Sequence, residues 1–428
     1  MHDLFCAHDY ICTLKSVLSR KGGILSMKEQ NWQNHVYLLG LAGGKGTRLW
    51  PLSHKGHEKQ FCTLDSTGTF IQVTIRRYLE TGIQPTRAYV VTTNDSQRKL
   101  AAKQLAPLGV IEPNILKFGG ECSYPSAMID GARCIYEQDP EAIIINTPCD
   151  QFIGNDERYS SFLDSVKLAI HYAEAGSPTI IGVRVQDLVT YMGSGHAVYD
   201  PTDTSYCKAV KGFVEKPDKE TAERMMRENA SVCNTGINVW KAKTVLEAVE
   251  GIDYYDKDFG TAEFMSLLDD LRVTIGDFYW RDCGTLKSLW EVSKKTPNHH
   301  NASLGAGYID RTDCLDSMFY SVDGIDLYAT GIEDTSIVVN PIGDYVYVAF
   351  VAHDECQLVR ELAEHFEANE KILRHDYSVK ARNNIILPSN FSKYLRVSFV
   401  GIDDLQVNSL KQPDGHIIIT VSKKREIA

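Results

Sequence analysis

An apolar run, Val36 to Leu41, stops in a segment that packs three glycines and two cations into LAGGKGTRLWPLS, Leu41 to Ser53. Few folds tolerate such a junction. Gly43, Gly44 and Gly46 give the backbone access to positive φ and to close approach, so that N–H groups can face phosphate oxygens. Lys45, Thr47 and Arg48 add charge and a hydroxyl, and Lys59 follows in EKQF. The pattern reads as an anion cradle at the end of a buried strand. An ordinary glycine-rich turn with an incidental arginine is the competing reading. The spacing fits neither a P-loop, which closes on GKS or GKT, nor the GxGxxG of a dinucleotide fold.

The string resembles the signature of the sugar-1-phosphate nucleotidyltransferases, LAGGxGTRLWPLS followed by PKQF, in the form typical of mannose-1-phosphate guanylyltransferases. Here the second part is EKQF, with Glu58 in the place of proline. The resemblance extends over roughly residues 35 to 365. It implies a Rossmann-like, doubly wound α/β mixed sheet followed by a smaller β domain resembling a left-handed β-helix. It also implies transfer of a nucleotidyl group from an NTP to a sugar 1-phosphate with release of pyrophosphate.

That reaction needs no catalytic base, because the attacking phosphate oxygen is already an anion at neutral pH. The site must supply position, charge neutralisation and a divalent metal. Arg48 and Lys59 are the candidates for stabilising the triphosphate and the departing pyrophosphate, one as a planar fork and the other as a compact charge. Asp150 follows the buried run AIIINTPC and matches the family's P-x-D-H segment, with Gln151 in place of histidine. Asp282 in FYWRDCGTLKSLWEV matches W-x-D-x-G-x-W, with Leu286 for the second tryptophan. By resemblance these two aspartates bind Mg²⁺; a lone Asp at a strand end is otherwise a helix cap or a solvated residue.

The resemblance further assigns Leu41, Ala42, Gly43, Gly44, Gly46, Thr47, Pro125 and Ser126 to the nucleotide. Gly193, Glu215, Lys216 and Asn234 fall to the sugar phosphate, through the segments TYMG, FVEKP and NTGINVW. Thr190 opens the first of these. Neighbours on an extended segment face opposite ways, so Glu215 and Lys216 can both serve only if the chain bends at Pro217 or uses its backbone. Where relatives that use GTP carry G-R-N-T-A-P-A-I, this chain has GGECSYPSAM, with Glu121 where an arginine would stand. An anion there costs affinity for a triphosphate unless Glu121 reads the N1–H and amino edge of guanine.

The chain has 428 residues, which suggests two domains, and a net charge of −11, which argues against a nucleic-acid or anionic-membrane surface. No apolar run is long enough to span a bilayer and no segment has the layout of a secretory signal. The eleven cysteines lack metal-site spacing, so neither zinc nor a disulfide framework is expected and a cytoplasmic location is. Cys149 and Cys283 adjoin the two aspartates; on an extended segment their thiols point the other way, into packing.

The expected organisation has four parts. Residues 1–34 form an N-terminal extension with two readings: Lys21 to Leu25 can be encoded by a purine-rich run beginning AAAGGAGGA, as a ribosome-binding site upstream of a start at Met27 would be, or the extension is a real but loosely held segment. Residues 35–295 form the catalytic domain, in which short β-branched runs alternate with helical stripes such as Phe162, Val166, Ala169 and Ala173. Residues 304–370 form the β-helix-like domain, closing with a helix that carries Leu358, Leu362 and Phe366 on one face, and this domain is the expected place of homo-oligomer contacts. Residues 371–428 match no module, although HIIITV after QPDG suggests a hairpin. Three readings stand: a transferase making GDP-mannose from GTP and mannose 1-phosphate; the same chemistry on another sugar phosphate, such as a manno-heptose phosphate, or another NTP; and a weakly active paralogue that binds nucleotide sugars and regulates a partner.

Overall fold

Val36–Leu41 (β1) is apolar along its whole length because both of its faces are covered. It pairs in parallel with Ala88–Thr92 (β2) on one side and Ile143–Pro148 (β4) on the other. With Ile115–Lys117 (β3), Thr179–Val183 (β5), Gly195–Tyr199 (β6), Cys207–Glu215 (β7), Ser231–Lys241 (β8) and Arg272–Gly276 (β9), these strands build a nine-stranded mixed sheet in the order β3-β2-β1-β4-β8-β5-β9-β7-β6. The order reverses between β1 and β4, so the glycine loop and Asp150 each follow a strand at the topological switch point, where open α/β sheets take their ligands. The computed structural model describes residues 33–353 except 66, 119–122, 186, 229, 257, 323–324 and 343–344, together with residue 359 and strands 394–400, 405–411 and 417–423. Residues 1–32, Glu121 and the helix expected around Leu362 lie outside the described residues.

One face of the sheet is covered by the helix Tyr124–Gln138 (α1), which starts on the side-chain cap Ser123 and buries Met128, Ile129, Ala132 and Ile135 against Leu39, Ile144 and Trp240. Among the described residues no helix is long and apolar enough to cross a membrane.

The division into compact units is not linear in sequence. The first unit takes the described residues up to Gly43, with Thr74–Cys149 and Ile153–Trp280; the second takes Gly44–Val73, Asp150–Phe152 and the described residues from Arg281 on. In the second, Ala302–Leu304 (β10), Ile309–Thr312 (β11), Met318–Tyr320 (β12), Ile325–Thr330 (β13) and Thr335–Ile342 (β14) stack as rungs. β10, β12 and β14 pair in parallel in one sheet, and β11 and β13 in a second. Left-handed backbone at Gly305, Asp313, Asp316, Gly331 and Asp334 makes the corners between them. Buried Asn301 ties successive rungs, donating to the Cys314 carbonyl (2.6 Å) and accepting from the Ser317 N–H (3.1 Å). Tyr345–Ala352 (β15) returns antiparallel on β14, and Tyr394–Val400 (β16) pairs in parallel with β15. The hairpin suggested by HIIITV forms between Leu405–Lys411 (β17) and Ile417–Lys423 (β18), with β18 parallel to β13.

Candidate active site

Beyond β1 the backbone stays in the sheet for two more residues. The Leu41 carbonyl accepts from the Cys149 N–H (3.0 Å), and the Ala42 N–H donates to the Val91 carbonyl (2.9 Å). Of the three loop glycines only Gly46 uses positive φ (+63°), which corrects the expectation that all three do. Gly43 serves instead for closeness, since a Cβ there would stand 2.7 Å from Thr93 Cγ2, and Gly44 faces open space. A Cβ on Gly46 would meet Lys59 Cβ at 2.6 Å and Ser53 Oγ at 2.7 Å, so the loop lies directly on Lys59. Gly46→Ala therefore combines a left-handed backbone with a clash, and is expected to cost about 1–3 kcal/mol. Urea denaturation midpoints check this, and an unchanged midpoint would contradict it.

Lys59 begins a 3₁₀ turn whose three residues, Lys59, Gln60 and Phe61, are all buried. With Lys59 only 4% exposed, its charge must be met inside the protein. Its ammonium donates to Asp150 Oδ2 (3.1 Å) and Asp282 Oδ1 (3.0 Å), and stands 5.7 Å from the centre of the Phe70 ring. Burial opposes the charge, yet the two carboxylates hold the Lys59 pKa above its ordinary value. Burial would likewise push the Asp282 carboxyl up, but Lys59 first, then Arg48 and Arg281, keep it below the usual carboxylate range. Both aspartates remain partly open, at 36% and 50% side-chain exposure, so each can still reach a ligand. Glu58 turns back to accept from the Gly56 N–H (3.1 Å).

Arg48 is exposed and lies against Gly284, where a Cβ would be 2.9 Å from Arg48 Nη2 and 3.3 Å from Asp282 Oδ2. Gly284, the glycine of the W-x-D-x-G-x-W match, thus leaves room for the Arg48 guanidinium. Cys149 and Cys283 are fully buried. Burial pushes the Cys283 thiol up to about 12, so it is a neutral packing group here.

Among the described residues no three His, Cys, Asp or Glu side chains gather to hold a metal by protein ligands alone. The pair Asp150 and Asp282 nevertheless suits a hard divalent cation, which takes a few carboxylates and completes its shell with phosphate oxygens and water. The Lys59 ammonium is already a cation shared by those two carboxylates, and so stands in for one.

In the first unit, the strand register lines up the candidate sugar residues. Gly195 on β6 is opposite Glu215 on β7, while Cys233, next to Asn234 on β8, is opposite His196 on β6. Asn234, Gly195 and Glu215 therefore sit at the same end of three adjoining strands. A Cβ on Gly195 would come 2.5 Å from Glu215 Oε2, which makes it a glycine the sequence reading missed, in MGSG itself. Lys216 has φ +43°, so the left-handed bend falls at Lys216, one residue before Pro217. Their charged ends are 3.7 Å apart and open to solvent. Thr190 lies in the short helix Leu188–Met192, its carbonyl accepting from Ser194 Oγ (2.8 Å), and Gly193 is in the turn that follows. Pro125 and Ser126 are buried in the first turn of α1, where the Ser126 N–H and hydroxyl are both engaged by Ser123 as a cap (3.2 and 3.0 Å).

A family model described as nucleotidyl transferase matches residues 39–299, more than half of the chain. The chain is 29% identical over 379 residues to the mannose-1-phosphate guanylyltransferase ManC of Salmonella typhimurium, covering 80% of this chain and 75% of that one. It is 27% identical over 363 residues to the mannose-1-phosphate guanylyltransferase of Escherichia coli, covering 76% and 75%. Among solved structures, a protein described as mannose-1-phosphate geranyltransferase from Thermus thermophilus superposes with a TM-score of 0.61 at 23% identity, covering 78% of this chain and 99% of that chain. That likeness shows a common fold.

Proposed function

Given that the chain belongs to the nucleotidyl transferase family, we propose that it transfers the guanylyl group of GTP to mannose 1-phosphate, forming GDP-mannose and pyrophosphate. The observation that carries this reading is the sharing of one buried ammonium, Lys59, by Asp150 and Asp282 beneath a glycine loop. Asp150 and Asp282 would hold Mg²⁺. When bound, the ion neutralises triphosphate charge and polarises the phosphoryl oxygens. Arg48 and Lys59 stabilise charge that develops on the leaving pyrophosphate, as preorganised donors do. Backbone from Leu41 to Thr47, with Pro125 and Ser126, seats the nucleotide; Gly193, Glu215, Lys216 and Asn234 orient the sugar phosphate. The names of the relatives support the choice of guanine and mannose.

The stacked rungs support a left-handed β-helix for the second β region, and its open sheet edges are where subunit contacts are proposed. The seven described cysteines are all free, which suits a reducing cytoplasm. Screening the four NTPs against hexose and heptose 1-phosphates for pyrophosphate release with Mg²⁺ tests the assignment. GTP with mannose 1-phosphate should give the highest kcat/KM. A heptose phosphate or another NTP in that place overturns the specificity, and no release with any pair overturns the activity.

A further inference from the structure

We propose that Tyr124 is a positioning residue that holds the side-chain amide of Asn234 in one orientation, tying the first turn of α1 to the bulge in β8. The inference rests on the proposed contact between Asn234 and the sugar. The Tyr124 hydroxyl donates to the Gly236 carbonyl at 2.6 Å, across 112 residues of sequence. The same carbonyl accepts from Asn238 Nδ2 at 3.2 Å, and the Gly236 N–H donates to Asn234 Oδ1 at 2.9 Å. Both polar ends of the Gly236 residue are therefore fastened. Its backbone is left-handed (φ +75°), and a Cβ would meet Pro148 Cγ at 2.8 Å, so only glycine fits where the β8 register shifts between Asn234 and Asn238.

This arrangement sets the polarity of Asn234. Its oxygen is occupied by the Gly236 N–H, so the amide presents its NH₂ group and recognises a hydroxyl oxygen of a polyol ligand as a donor. Removing the phenol leaves the carbonyl with only its longer contact to Asn238. The Gly236 peptide can then rotate, and the amide turns with it. Tyr124 itself need touch neither substrate.

Tyr124→Phe keeps the ring and removes the donor. Assayed with the sugar 1-phosphate and NTP identified by the pyrophosphate screen, it should raise KM for the sugar 1-phosphate about tenfold, the loss expected for one well-formed hydrogen bond, and leave kcat and the NTP KM within about twofold. Asn234→Ala should raise the same KM, and the double variant should be no worse than Asn234→Ala alone, because Tyr124 acts through Asn234. A normal sugar KM in Tyr124→Phe beside a raised one in Asn234→Ala overturns this inference alone. A normal sugar KM in Asn234→Ala overturns it together with the sugar contact on which it rests. A rise in both KM values with a lowered melting temperature makes the tyrosine structural and also overturns the inference.

Discussion

Asp282→Ala is expected to lower kcat for pyrophosphate release by about 10²- to 10³-fold, and Asp150→Ala to do the same. Each substitution removes one of the two carboxylates that face the cradle, and among the described residues no third acidic group gathers there to take over. The loss of Asp282 also removes a negative charge that lies near the Arg48 guanidinium. Asp282→Asn separates charge from shape: it keeps the volume and one acceptor oxygen, and should still lose most of the rate. Initial rates at saturating substrates, run beside circular dichroism to establish folding, measure this. Folded variants with near wild-type kcat would remove the metal assignment.

Lys59→Met should reduce the rate to a similar degree and also change what a divalent ion does to stability. In the wild-type protein the ammonium offsets the repulsion of the two carboxylates. Without it the two carboxylates face each other with only the Arg48 and Arg281 charges near Asp282, at a cost of about 1–3 kcal/mol once their partial exposure is allowed for. The melting temperature of the variant in chelator should fall by a few degrees, roughly as expected for a chain of this size. Added Mg²⁺ should then recover more of the loss than it adds to the wild type, because the buried ammonium no longer competes for the carboxylates. Thermal melts with and without the ion test it. A variant that is no less stable and no more responsive to the ion would show that Lys59 does not hold the pair.

Parts of this were legible in the sequence because the signal was local. Val36 to Leu41 and Ala142 to Ile145 read as buried strands from their unbroken apolar character, and HIIITV read as a hairpin strand. The inward position of Lys59 was not legible. Next to Glu58 it looks like half of a solvated charged turn, and its partners arrive from 91 and 223 residues away. Alternation along a strand called for a bend at Pro217 or a backbone contribution if Glu215 and Lys216 were to act together, and the left-handed residue is Lys216 itself. Ser126 shows a different limit. A serine in a first helical turn can face a ligand, complete a cap or do both, and only the structure shows that Ser123 engages the Ser126 N–H and hydroxyl.

The apolar cluster under the glycine loop has a consequence for synthesis. Leu49, Trp50, Leu52, Cys62, Leu64 and Phe70 share one core with Ala302, Leu304, Met318, Tyr320, Val338, Tyr347 and Val351. Asn340 also donates to the Pro51 carbonyl at 2.8 Å. Residues that leave the ribosome early thus find packing partners that are translated much later, Pro51 and Asn340 lying 289 residues apart. The lysine cradle is among the first parts of the protein to be made and among the last to become rigid, and a nascent chain halted before the rungs would carry the signature without a scaffold to shape it.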